Sequence, residues 1–169
     1  MLKKYNASKK RFQAISRQYL TVDEQERKIG QYRPVFLKLF DVGVIGGEQR
    51  LNWIETLRDA GERIKLPALR YEINSQDVYN PGFTINTGNF KVYRSGMHLR
   101  LDLLHEGDIF QVLHSLDNKA QGIYSVKGCK MLRRRGGLIE NIDKANILAE
   151  CTLDWFTIKK SDGSEIKRL

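Results

Sequence analysis

Histidine and cysteine are the side chains that most readily bind metals or act as nucleophiles and acid–base groups near neutral pH. This sequence of 169 residues has five of them: His98, His105, His114, Cys129 and Cys151. A zinc site needs three or four such ligands, usually in pairs at short spacings. No two of the histidines have metal-ligand spacing together with a nearby cysteine. We therefore predict no metal site.

His98 and His105 bracket Asp102, an arrangement that would suit acid–base chemistry if the three side chains converged. Residues 97–103, however, alternate apolar and polar side chains, which predicts a half-buried strand. That alternation places His98 and Asp102 on the solvent face of the strand. We interpret them as ordinary surface residues and predict no catalytic site.

Gly43, Gly46 and Gly47 form the densest glycine cluster of the chain. A phosphate-binding loop needs a strand before its glycines and a Lys-Ser/Thr pair after them, because backbone N–H groups and the lysine hold the phosphates together. Neither feature is present here. The sequence thus predicts no bound cofactor and a protein that is not an enzyme.

Residues 5–36 repeat apolar side chains at seven-residue intervals, which predicts a helix with a coiled-coil seam. Gly30 and Pro34 weaken the helix toward the end of this stretch. An amphipathic helix packed against its own domain would show the same pattern, so this alternative stays open. The residues expected at a coiled-coil interface are Phe12, Ile15, Tyr19, Val22, Ile29 and Phe36.

Two helix–strand–strand units follow in the rest of the chain. Helical spacing predicts helices over 48–66 and from 109 to about 120. Strand patterns cover 68–74, 97–103, 123–132 and 147–158, while the polar, Asn- and Gly-rich residues 75–96 predict a long loop or an irregular edge hairpin.

This αββαββ order predicts an α+β, ferredoxin-like fold in which a four-stranded antiparallel sheet carries both helices on one face. A helical, partly coiled-coil extension precedes it. The expected boundaries are residues 1–41 for the extension, 48–160 for the ferredoxin-like domain and 161–169 for a polar tail.

The formal charge of +9 predicts attraction to anionic partners. An alternative function is therefore a basic nucleic-acid-binding module. The strand 97–103 argues against an RNA-recognition sheet, because its outward residues are His, Arg and Asp and not the aromatic residues that stack on bases. The basic patch of this alternative consists of Lys9, Lys10, Arg11, Arg133, Arg134 and Arg135.

With its heptads over 5–36, its strand–helix segment over 97–116 and its last hairpin ending at Trp155, the chain resembles the PilO and GspM type of assembly-platform protein. These proteins belong to bacterial type IV pilus and type II secretion systems. The resemblance implies a non-catalytic scaffold that dimerises with itself or with a similar ferredoxin-like platform protein. It also implies a periplasmic domain anchored in the inner membrane; a cytoplasmic location is the alternative.

No run of about 18–20 apolar residues occurs in the sequence, so we predict no membrane span in it. The basic N-terminal region is not followed by the apolar run of a signal peptide, so we predict none. The resemblance therefore leads us to expect an inner-membrane anchor that is missing from this chain. The basic residues near the N-terminus depart from the family pattern, because lysine and arginine beside a span favour the cytoplasmic side.

Cys129 and Cys151 fall near the middles of the last two predicted strands. If these strands pair antiparallel with the two cysteines opposite each other, Arg133 lies opposite Ile147 and residues 134–146 connect them. Directly opposed residues are close enough for a disulfide. We predict a Cys129–Cys151 disulfide if the domain is periplasmic, and two buried free thiols if it is cytosolic.

Overall fold

The computed structural model of the protein describes residues 2–84, 86–134, 145–164 and 166. The chain divides into two compact units, residues 1–39 and residues 40–169. The first unit is formed by helix α1, which runs over Leu2–Asp41 and so extends just beyond it. Pro34 has no N–H to donate to the carbonyl of Gly30, so one hydrogen bond of the helix is lost there. The helix nevertheless continues to Asp41.

The second unit is an α+β domain, and the predicted fold class is confirmed. Its long strands form an antiparallel sheet in the order β1-β3-β5-β4, and the short β2 pairs with the first half of β3. The sheet therefore has five strands, where the sequence predicted four. The elements are α2 (Arg50–Arg63), β1 (Ala68–Ile73), β2 (Asp77–Val78), β3 (Phe90–Leu103), α3 (Gly107–Lys119), β4 (Ile123–Arg133) and β5 (Ile147–Lys160).

The core lies between one face of the sheet and helices α2 and α3. On β3, Met97, Leu99 and Leu101 are buried, whereas His98 and Arg100 between them are exposed. This confirms the alternation predicted for residues 97–103. The buried core residues from the other elements are Trp53 and Leu57 on α2, Ile109, Val112 and Leu116 on α3, and Ala149, Cys151, Leu153 and Trp155 on β5.

Strand β3 begins at Phe90, whereas the sequence predicted a strand only from Met97. The added residues pair with β5, from Phe90 opposite Lys160 to Gly96 opposite Asp154. Their hydrogen-bond partners thus lie far along the chain, where a local pattern cannot reveal them. The segment predicted as a loop or edge hairpin contains β2 and the first half of β3.

The glycine cluster connects α1 to α2 and also extends the sheet. Gly46 donates its N–H to the carbonyl of Ile158 (3.0 Å), and Ile158 donates to the carbonyl of Val44 (2.8 Å). Gly43 has φ +79°, and a Cβ there would meet the Cβ of Gln121 at 3.1 Å. A side chain at position 43 would therefore face both backbone strain and a close contact.

Candidate interaction surfaces

The predicted seam of α1 is exposed to solvent. Phe12 is 73% exposed and Ile29 is 61% exposed, and Ile15 and Val22 are also exposed. Phe36 is partly buried. The side chain of Tyr19, the remaining seam residue, lies outside the described part of the chain. Apolar side chains repeated every seven residues on an exposed helix are typical of a surface that contacts another helix or a membrane.

The charges on α1 differ between its two ends. Lys9, Lys10 and Arg11 are exposed near the N-terminus. Farther along, Lys28 forms an ion pair of 2.8 Å with Glu24, one turn away. The hydrogen bond and the charge of this contact lower the pKa of Glu24 and raise the pKa of Lys28. The first acid in the sequence is Asp23, so the N-terminal cations have no acidic neighbour one turn away on the helix.

The second group of the predicted basic patch lies at the end of β4. Arg133 is exposed, and Arg134 donates a hydrogen bond of 2.7 Å to a carboxylate oxygen of Asp102. Arg135 lies outside the described residues. Lys9–Arg11 belong to the first unit and Arg133–Arg134 to the second. Because Asp102 partly neutralises Arg134, the end of β4 offers less free positive charge than its sequence suggests.

Cys129 and Cys151 are joined by a disulfide between β4 and β5. The register places Cys129 opposite Cys151 and Arg133 opposite Ile147. Cys151 is 2% exposed in the core, whereas Cys129 is exposed. Nearly all of β4 is exposed in the same way. The bond therefore connects an exposed edge strand to the buried centre of the sheet.

Charged residues lie in a row on the sheet face opposite the helices, and the sequence patterns did not predict that they would lie together. Arg70, Arg100, Glu150 and Lys130 lie side by side across the four long strands. An Arg100 guanidinium nitrogen is 3.2 Å from a Glu150 carboxylate oxygen. These residues border a shallow groove of about 820 Å³. A local pattern can place a residue on the polar face of its own strand. Only the order of the strands in the sheet brings these residues into one row.

The three histidines lie on different elements: His98 on β3, His105 between β3 and α3, and His114 on α3. His105 Nε2 is 3.1 Å from a carboxylate oxygen of Asp108, and His98 Nδ1 is 3.3 Å from the hydroxyl of Thr152. Among the described residues, no three His, Cys, Asp or Glu side chains are grouped as metal ligands would be. The absence of catalysis and of a cofactor stays a prediction.

In the described part of the chain, no helix combines the length and the hydrophobicity needed to cross a bilayer.

No family model matches this sequence, and no curated protein matches it. Two solved structures of proteins from Akkermansia muciniphila are weakly similar. The structure of a core domain has a TM-score of 0.38 and 7% identity, and the match covers 79% of this chain and 86% of that one. The structure without its transmembrane region has a TM-score of 0.37 and 7% identity, with coverages of 84% and 85%. Similarity at this level does not assign the chain to a family.

Proposed function

We propose that this protein is a non-catalytic scaffold that assembles through helix α1, pairing with a second copy or with a similar partner. The observation that carries this proposal is the exposed seam of α1, because apolar side chains such as Ile29 remain largely exposed in the isolated chain. Burying an aliphatic side chain of this size stabilises a complex by roughly 1.5–3 kcal/mol. Several such residues in one stripe are enough to hold two helices together.

A narrower part of the proposal places the protein in a type IV pilus or type II secretion platform, of the PilO and GspM type, in the periplasm and anchored to the inner membrane. Its support is the sequence resemblance together with the element order of the second unit, which is αββαββ apart from the additional short strand β2. In this proposal the ferredoxin-like unit provides a rigid body, and α1 provides the contact that brings such bodies together.

The test is light scattering coupled to size-exclusion chromatography on the full chain over a wide range of concentrations. We expect a monomer–dimer equilibrium, and Ile29→Ser should weaken it by at least ~100-fold because both copies lose a buried side chain. Val35→Ser is the matched control: Val35 is also exposed on α1 but lies outside the heptad seam. The control should leave the equilibrium within a few-fold of the wild type.

A protein that stays monomeric at all concentrations, or that responds equally to both substitutions, would contradict assembly through the seam. Tight binding of the monomer to mixed-sequence DNA at physiological salt, with the steep salt dependence of phosphate contacts, would instead favour the nucleic-acid alternative.

A further inference from the structure

Helix α1 has two halves of different charge. The first 22 residues contain no acid, and their basic residues are Lys3, Lys4, Lys9, Lys10, Arg11 and Arg17. Residues 23–41 are balanced: the acids Asp23, Glu24, Glu26 and Asp41 stand against the bases Arg27, Lys28, Arg33 and Lys38. A balanced helix suits pairing with another helix in water. An acid-free cationic helix repels a copy of itself placed in parallel and attracts an anionic surface.

The apolar and cationic residues of the first half are also arranged in a definite order around the helix. At ~100° per residue, Tyr5, Phe12 and Ile15 share one side, with Lys9 about 40° beyond Tyr5 and Arg11 about 40° beyond Ile15. Lys9 and Arg11 thus flank the apolar stripe on both sides. Tyr5 is 67% exposed, and Phe12, Lys9 and Arg11 are exposed as well.

This arrangement is what an interfacial helix needs. Aromatic rings enter the boundary between head groups and acyl chains, while the flanking lysine and arginine side chains extend back to the phosphates. Each basic residue near an anionic leaflet adds to the attraction. We infer that the N-terminal half of α1 lies on an anionic lipid surface. Binding of the first half to lipid does not require helix pairing. Pairing is tested through Ile29, which lies in the balanced half.

Nucleic acid is the main competing anion, and the apolar stripe distinguishes the two. Phosphate contacts with a duplex use the basic residues alone. A single strand would also use the aromatic rings, but through stacking, which needs a flat π surface. Insertion into lipid needs only an apolar side chain, so leucine serves in place of phenylalanine. Substitutions of Phe12 therefore distinguish a lipid surface from a single-stranded nucleic acid as the anionic partner.

The experiment is sedimentation of the full chain with vesicles of phosphatidylcholine alone, or of phosphatidylcholine and phosphatidylglycerol in equal parts. We expect binding only to the anionic vesicles, and binding should weaken as salt is added. K9Q/K10Q/R11Q should lower the partition coefficient by ~100-fold, since each charge contributes about fivefold. The matched control R27Q/R33Q/K38Q removes three charges from the balanced half and should change it by no more than a few-fold.

Substitutions of Phe12 complete the experiment. Phe12→Ser should lower binding to anionic vesicles by ~10-fold or more, whereas Phe12→Leu should retain it within a few-fold. Far-UV circular dichroism verifies that α1 stays helical in each variant. Equal binding to both vesicle types, equal effects of the two charge variants, or a Phe12→Leu loss as large as that of Phe12→Ser would overturn the inference. Strong oligonucleotide binding with no vesicle binding would overturn it too, whatever the oligomeric state proves to be.

Discussion

At the scale of single residues, the two bonded cysteines differ in surroundings. Cys151 is buried in the core, while Cys129 lies on a strand with little core contact. The bond closes a loop with a sequence separation of 22. A crosslink of this span stabilises the fold mainly by limiting the conformations of the unfolded chain. The disulfide is thus the contact through which β4 gains covalent support from the core.

We expect Cys129→Ser to lower the free energy of unfolding by about 3 kcal/mol, measured by urea denaturation of the oxidised protein. Cys151→Ser should cost about 1–3 kcal/mol more, because it also buries a hydroxyl among apolar side chains. Reduced wild-type protein is the control and should resemble Cys129→Ser. Intact-mass analysis after alkylation without reductant establishes that the starting protein is oxidised. Equal stability of reduced and oxidised protein would argue against a structural role for the bond.

The hydroxyl of Tyr124 is much less acidic in the folded protein than in a free tyrosine. Burial, and then the hydrogen bond of 2.5 Å that its hydroxyl donates to Asp117, raise the pKa of Tyr124 well above its ordinary value. The folded state therefore holds this proton more tightly than the unfolded state. The resulting stability is fully present below the unfolded pKa of about 10 and is lost as pH rises above it.

Tyr124→Phe should cost about 1 kcal/mol at neutral pH, because the hydrogen bond to Asp117 is lost. Above pH ~10 the advantage of the wild type over this variant should shrink by about 1.4 kcal/mol per pH unit, since only tyrosine can ionise. Paired urea denaturation curves across this range measure the difference. A constant difference would show that Tyr124 titrates alike in both states.

At the scale of elements, β4 is a part of the sheet that is open to pairing with other chains. It is an edge strand of 11 residues, exposed along most of its length. Unpaired edges of this kind invite pairing with other chains, and natural proteins oppose this with lysines and bulges. Strand β4 carries Lys127 and Lys130, and its pairing with β5 is irregular between Val126 and Gly128. We interpret these features as protection of the edge.

Lys130→Val should promote association of oxidised protein through β4, because it removes a charge from the unpaired edge and adds a β-branched side chain. Light scattering over time should show growing particles that the wild type does not form. Lys119→Val, at the end of α3, is the control for a general increase in surface hydrophobicity. If the two variants associate to the same extent, the edge is not the cause.

At the scale of the whole molecule, the core belongs to the second unit. Stacking of Trp53 on Trp155, with ring centroids 4.1 Å apart, links α2 to the central strand β5. The described core residues all lie within residues 40–169. A unit with its own core has the contacts required to fold alone.

We therefore expect residues 40–169 to fold without α1. The shortened protein should unfold in a single cooperative transition, with a midpoint temperature within a few degrees of that of the monomeric full chain. Near-ultraviolet circular dichroism, which reports on the stacked tryptophans, should be retained. Loss of that signal, or a broad non-cooperative transition, would show that α1 contributes to the core.

The α+β class and the faces of the elements followed from the sequence alone, because the periods of helices and strands are local properties of the chain. The alternation at Met97, Leu99 and Leu101 revealed the buried face of β3 without any knowledge of its neighbours. Tertiary structure decided the features that depend on contacts between residues far apart in the sequence. The first half of β3 forms against β5, and the row that contains Arg70 and Lys130 exists only because β3 and β5 lie between β1 and β4. Strand order is set by which long-range packing buries the most apolar surface, and no local pattern encodes it.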